Sequence, residues 1–130
     1  MRGRVAMLAV TVLDYDEAIS FYVGTLGFEL VEDTDLGGGK RWVRVRPRGG
    51  GSGAEILLAR AVTEAQRASV GNQTGGRVFV FVETDDFARE YEALRARGVR
   101  FVREAREEAY GTVAVFEDLY GNLFDLIERR

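Results

Sequence analysis

Runs of apolar residues alternate along the chain with short polar or glycine-rich segments. Residues 5–13 are apolar and rich in β-branched side chains, which predicts a buried strand. Apolar residues then recur at helical spacing from Ala18 to Leu26, with Asp14 as the predicted N-cap and Gly27 as the residue that ends the helix. Three further strands are predicted at residues 28–32, 41–46 and 55–59, with a hairpin loop over residues 33–40.

The same pattern restarts in the second half of the chain. A strand is predicted at residues 77–82, followed by a helix that Thr84 or Asp85 caps and Gly98 ends. Residues 104–111 are predicted to form a charged loop. The remaining strands are predicted at residues 99–103, 112–117 and 123–127.

The two halves can be superposed by counting residues. Asp14 and Asp85 are 71 residues apart, as are Gly27 and Gly98, whereas Glu55 and Asp125 are 70 apart. So regular an offset indicates an internal repeat. We therefore predict two βαβββ repeats, at residues 5–59 and 77–127, joined by a linker at residues 60–76 within one domain of residues 1–130.

Three segments resemble a known family. They are LDYDEAISFYVGTLGFEL in the first repeat, and GGRVFVFVETDDF and FEDLYGNLFDLIE in the second. They resemble the vicinal oxygen chelate superfamily, which includes glyoxalase I, extradiol dioxygenases, and fosfomycin- and bleomycin-resistance proteins. The resemblance covers essentially the whole chain and implies an α+β fold with two tandem repeats. It also implies that the repeats form a curved eight-stranded mixed sheet around a cleft, and that the protein is a homodimer.

Composition restricts the chemistry that is available to such a cleft. The 130 residues are 46% hydrophobic and 30% charged, as in a globular domain, and they include no histidine and no cysteine. Thiolate nucleophiles and imidazole ligands are therefore excluded. The net charge of −3 argues against a nucleic-acid partner, and the absence of long apolar runs argues against a membrane span. The N-terminus has no signal-peptide pattern, so we expect a cytoplasmic protein.

The resemblance also points to the metal-ligand positions of the family, which typically hold His or Gln, Glu, His and Glu. The corresponding residues here are Met7, Glu55, Arg77 and Asp125. A thioether is a poor ligand for hard or borderline divalent ions, and a guanidinium cannot bind one. We therefore predict no cofactor at these vestigial positions. A divalent metal held by Glu55 and Asp125 remains the alternative.

Arg77 admits three interpretations. It could form a structural ion-pair network with Glu55 and Asp125 that replaces the metal. It could instead bind an anionic group of a ligand in the cleft. In the third interpretation, Arg77 turns away and the two carboxylates hold a metal.

Strand alternation predicts which other side chains face the cleft. If Val43 and Val45 face the helix, Trp42 and Arg44 face the cleft, and if Arg77 faces the cleft, so do its neighbours on alternate positions. The predicted ligand-binding residues are Trp42, Arg44, Arg77, Phe79, Phe81 and Phe116. These aromatic side chains could alternatively fill the space between the sheets.

Three functions follow from these residues. The first is a glyoxalase/bleomycin-resistance-like protein that binds a small molecule in an aromatic-lined cleft without a catalytic metal. The alternative is a metal-dependent lyase or dioxygenase-like enzyme of the same superfamily, with Glu55 and Asp125 as the catalytic residues. The third is a structural or regulatory dimer whose cleft is vestigial.

Overall fold

A computed structural model describes all residues, 1–130. It contains eight strands, three α-helices and one π-helical segment, Ser20–Thr25, which continues the first helix. In chain order the remaining elements are β1 Met7–Val12, α1 Tyr15–Ile19, β2 Glu29–Gly37, β3 Lys40–Arg46, β4 Glu55–Arg60, α2 Glu64–Ser69, β5 Val78–Glu83, α3 Phe87–Ala96, β6 Phe101–Glu108, β7 Gly111–Glu117 and β8 Leu123–Arg129.

The chain divides into two compact units, residues 1–70 and residues 71–130. Each unit contains one four-stranded mixed sheet, with strand order β1-β4-β3-β2 in the first and β5-β8-β7-β6 in the second. The pairs β1–β4 and β5–β8 are parallel, and the other pairs are antiparallel. The predicted α+β fold of two βαβββ repeats is confirmed, with eight strands hydrogen-bonded as two sheets. No helix has the length and apolar character of a membrane span.

The first helix begins and ends where the sequence predicts. The Asp14 carboxylate accepts a hydrogen bond from the backbone N–H of Glu17 at 2.8 Å, which satisfies one free N–H of the first turn. Gly27 has a φ of 78°, and this left-handed residue lets the Phe28 N–H reach the carbonyl of Tyr22 at 2.9 Å. The chain therefore leaves the π-helical segment directly into β2.

The hairpin between β2 and β3 is shorter than predicted. The expected loop over residues 33–40 is largely strand, because β2 continues to Gly37 and β3 begins at Lys40. Cross-strand charge pairing supports this extension, since the Arg41 guanidinium donates to both oxygens of Asp33, at 3.1 and 2.7 Å. Only Gly38 and Gly39, both with positive φ, form the turn.

One face of the first sheet forms the core of its unit. Alternate residues of β1, β3 and β4 are buried there, and the helical segment after Asp14 contributes further buried side chains. This core consists of Val10, Val12, Val43, Val45, Ile56 and Leu58 from the strands with Ala18, Tyr22 and Leu26 from the helix. The alternation predicted for β3 is correct, because Val43 and Val45 are fully buried.

The second unit differs from the prediction in its helix start and in β6. Asp86, rather than Thr84 or Asp85, caps α3 by accepting from the Arg89 N–H at 3.1 Å. Gly98 ends the helix as predicted, with a φ of 84°. The expected charged loop over residues 104–111 is mostly strand, because β6 pairs with β7 as far as Glu108.

The turn between β7 and β8 is built on one buried carboxylate. Asp118, which is 4% exposed, accepts from the N–H groups of Tyr120 and Asn122 and from the Asn122 side-chain amide, each at 2.9 Å. Oδ1 of the Asn122 side chain in turn accepts from the Gln73 N–H at 3.2 Å. Residues 71–76, the end of the predicted linker, are thus anchored to this turn, and β8 with Asp125 follows the turn.

Candidate functional site

The face of the first sheet that is opposite the buried valines carries the predicted polar residues. One row of neighbouring residues crosses all four strands, namely Ala9, Leu57, Arg44 and Glu32. Glu55 lies two residues before Leu57 and therefore shares this face, as Trp42 does by its spacing from Arg44. We call this surface the Glu55 face. Met7 is the strand neighbour of Glu55.

Two arginines hold the Glu55 carboxylate. Arg44 donates through Nη1 to Glu55 Oε1, and the Nη1 of Arg46 lies 3.6 Å from the second oxygen. Arg44 also contacts Glu32 at 3.0 Å, and Arg46 contacts Glu29 at 2.5 Å. The Glu55 side chain is only 14% exposed. Three carboxylates and two guanidiniums therefore form one continuous network on the Glu55 face.

Within this network the pKa of Arg44 is raised and the pKa of Glu32 is lowered. The carboxylates of Glu55 and Glu32 raise the pKa of Arg44. A hydrogen bond from the Thr34 hydroxyl and a further one from Arg44 lower the pKa of Glu32. Both groups consequently remain charged at neutral pH, and the ion pairs persist.

The Glu55 face does not fit a divalent metal. Its Met7 offers a thioether, and Arg44 and Arg46 already contact both oxygens of Glu55, the one carboxylate on this sheet that the resemblance assigns to a ligand position. A cation placed there would be repelled by Arg44 and Arg46. No group of three or more His, Cys, Asp or Glu side chains in the structure is arranged to hold a metal ion.

Asp125 lies on the corresponding face of the second sheet. A row across all four strands joins Phe81, Asp125, Val115 and Arg103. We call this surface the Asp125 face. Oδ1 of Asp125 is buried and has no hydrogen-bond partner. Burial raises the pKa of Asp125, against the opposing effect of the nearby guanidiniums of Arg103 and Arg106.

Arg77 does not occupy the predicted position. It is exposed and precedes the first residue of β5, Val78, and the strand neighbour of Asp125 is Phe81. An irregularity between Val78 and Val80 shifts the register by one residue. The interpretation in which Arg77 forms an ion-pair network with Glu55 and Asp125 is therefore wrong, and the cations that act on Asp125 are Arg103 and Arg106.

Two predicted ligand-binding aromatics pack against Phe124 in the second unit, Phe116 fully buried and Phe79 half-buried. Phe116 is 2% exposed and stacks on Phe124 at 5.1 Å between ring centroids, and its centroid lies 5.6 Å from that of Phe101. Phe101 in turn contacts Tyr91 of α3 at 4.7 Å. Phe116 therefore faces the helix, and its assignment to the cleft is wrong. Phe79, the extra residue at the β5 irregularity, also packs against Phe124, at 6.5 Å.

The sequence analysis missed five charged residues that surround the two carboxylates. They are Glu29, Glu32 and Arg46 on the Glu55 face, and Arg103 and Arg106 beside Asp125. Arg46 could have been found, because it lies two residues after Arg44 and shares its face. The other four lie on β2 and β6, whose irregular pairing the sequence does not reveal.

A separate concavity of about 530 Å³ lies at the start of α3. Its lining includes the carboxylates of Asp85, Asp86, Glu92, Glu107 and Glu128. Several of these carboxylates are engaged within the unit: Glu128 accepts from the Phe87 N–H at 2.6 Å, Asp86 caps the helix, and Glu107 accepts from Thr112. They therefore serve local structure rather than an empty cation site.

Comparison with known proteins identifies the family. A model of the Glyoxalase/Bleomycin resistance protein/Dioxygenase superfamily matches residues 4–126, so the chain belongs to that superfamily. An uncharacterized protein of Shewanella frigidimarina is 53% identical over 98% of this chain and 95% of its own length. The uncharacterized protein YurT of Bacillus subtilis is 29% identical over 97% of this chain and 99% of its own length.

Solved structures agree with this assignment. The crystal structure of UcmS2 covers 98% of both chains with a TM-score of 0.85 and 32% identity. TnmS3 from Streptomyces sp. CB03234, which is described as an antibiotic binding protein, covers 99% of this chain and 98% of its own. Its TM-score is 0.79 and its identity 27%.

Proposed function

We propose that this protein binds a small aromatic molecule beside its exposed aromatic side chains and holds it without the help of a metal. The observation that carries this proposal is the pairing of Glu55 with Arg44 and Arg46. Two guanidinium groups therefore lie where members of the family typically hold a metal. The similarity to TnmS3, an antibiotic binding protein, supports a binding role.

The residues that suit such a ligand are fewer than the sequence predicted. Trp42 and Arg44 lie on the Glu55 face, and Phe81, which is 66% exposed, lies on the Asp125 face. Exposed aromatic rings beside a few polar groups are typical of small-molecule sites. Phe116 and Phe79 pack against Phe124, and Arg77 precedes β5, so these three residues are not part of the proposed site.

Removal of one exposed ring tests the site. We expect 2-naphthol to raise the melting temperature of the wild type, because a ligand that binds only the folded state stabilises it. The Phe81→Ala variant should lose most of this shift. Tyr110→Ala is the matched control, since it removes another exposed ring, 54% accessible, from the same unit. An equal shift in the wild type and in Phe81→Ala would refute a site at Phe81.

The metal content of the purified protein is a second test. We expect elemental analysis after dialysis without chelator to find no stoichiometric divalent metal, because Arg44 and Arg46 already neutralise Glu55. One bound metal per chain that survives dialysis would contradict the proposal and favour the lyase or dioxygenase alternative.

We further propose that the protein acts as a homodimer, as the family resemblance implies. Strands β1 and β2 form the two edges of the first sheet, and Leu8 on β1 and Leu36 on β2 are 42% and 51% exposed. Exposed apolar edges are commonly covered by another chain. Light scattering over a dilution series in the micromolar range should give twice the mass of one chain. A single-chain mass throughout would contradict the dimer.

A further inference from the structure

The two carboxylates that the family resemblance singles out have different surroundings. Glu55 is satisfied by the protein, through Arg44 and Arg46. Oδ1 of Asp125 is buried without any hydrogen-bond partner. Buried polar atoms are nearly always paired, and an unpaired carboxylate oxygen costs free energy. The exception indicates that a partner for this carboxylate comes from outside the chain.

The immediate neighbours of Asp125 on its sheet supply no such partner. Phe81 lies beside it on one side and Val115 on the other, and neither side chain can donate a hydrogen bond. Val115 is 4% exposed, whereas Phe81 is 66% exposed and offers a ring face. An acceptor beside an exposed aromatic ring suits a flat ligand that carries a donor at its edge.

The charges around Asp125 favour a neutral ligand over an ion. Arg103 is the nearest cation along the row, and Arg106 is ion-paired with Glu108 at 2.7 Å. Arg103 and Asp125 together, and Arg106 and Glu108 together, have no net charge. Neither a cation nor an anion would therefore gain strongly from the local field.

We propose that Asp125 accepts a hydrogen bond from a hydroxyl or N–H group of a neutral aromatic ligand that stacks on Phe81. This inference rests on the proposed function and assigns the chemical class of its ligand. Such a site binds a ligand with a hydrogen-bond donor more tightly than an analogue without one, because the analogue leaves the carboxylate oxygen unpaired.

Two probes that differ by one methyl group test the inference on the wild-type protein. 2-Naphthol has a donor hydroxyl and is neutral at pH 7, and 2-methoxynaphthalene has the same ring system without the donor. Fluorescence titration should give a dissociation constant about tenfold lower for 2-naphthol, as expected for a hydrogen bond to a charged acceptor. Because no substitution is involved, the result does not depend on a variant that folds.

Variants then assign the preference to Asp125. Asp125→Leu removes the acceptor and should bind both probes equally, whereas Asp125→Asn keeps one carbonyl acceptor and should retain part of the preference. Glu64→Gln on α2 is the control, because it removes one exposed carboxylate from the other unit and should leave the preference unchanged.

The outcomes separate the inference from the function on which it rests. If both probes bind the wild type equally, or if Asp125→Leu keeps the full preference, the inference is overturned and the aromatic binding site stands. If neither probe binds, the proposed function fails and the inference fails with it. A preference for 2-naphthol that disappears in Asp125→Leu supports both.

Discussion

Replacing Gly71 with alanine is expected to lower the free energy of unfolding by about 4 kcal/mol or more. A Cβ on Gly71 would lie 1.9 Å from the carbonyl oxygen of Tyr120 and 2.8 Å from its carbonyl carbon. Both are backbone atoms of the turn that Asp118 fixes, so the clash cannot be relieved by a side-chain rotation. Equilibrium unfolding in urea measures the loss.

Gly75→Ala is the matched control for this substitution. Gly75 has a φ of 65°, close to the 74° of Gly71, but a Cβ there would meet nothing within 4 Å. It should therefore show only the cost of a left-handed alanine, about 1–2 kcal/mol. Equal losses for the two variants would show that residues 71–76 are not anchored to the Tyr120 turn.

Replacing Phe116 with alanine is expected to cost about 3–5 kcal/mol of the free energy of unfolding. The ring is 2% exposed and packed between Phe101 and Phe124, so its removal leaves a cavity that the surrounding aromatic rings cannot fill. Urea unfolding monitored by circular dichroism measures the change.

Phe81→Ala provides the comparison within the same unit. Its ring is 66% exposed, so the loss of stability should be below about 0.5 kcal/mol. Similar losses for Phe81→Ala and Phe116→Ala would contradict the strand register, because that register places one ring at the surface and the other against the helix.

The sequence predicted the fold because the signals for helix ends and strand faces are local and recur in both repeats. Asp14 caps α1, Gly27 and Gly98 end the helical segments, and Val43 and Val45 face the core, each as the pattern indicates. Each of these features depends on the chemistry of a few adjacent residues, such as an N-cap oxygen or a glycine with positive φ. The regular offset between the two halves of the chain then indicated that the helices and strands form two βαβββ units.

The candidate site was predicted less well, because it depends on strand register. On β7, four successive residues from Val113 to Phe116 are buried, so alternation gives no signal for the direction of each side chain. On β5, the residue beside Asp125 is Phe81, four residues after Arg77, which lies just before the strand. The irregularity between Val78 and Val80 also interrupts the alternation of side chains along this strand.

The sequence by itself determined the architecture, the absence of imidazole and thiolate chemistry, and the two carboxylates at the family positions. Only the tertiary structure decided which charges those carboxylates meet: Arg44 and Arg46 bind Glu55, whereas Asp125 keeps one buried oxygen unpaired. The reason is physical. Local patterns fix helix ends and strand faces within a few residues, but ion pairs form between side chains that only the pairing of separate strands brings together.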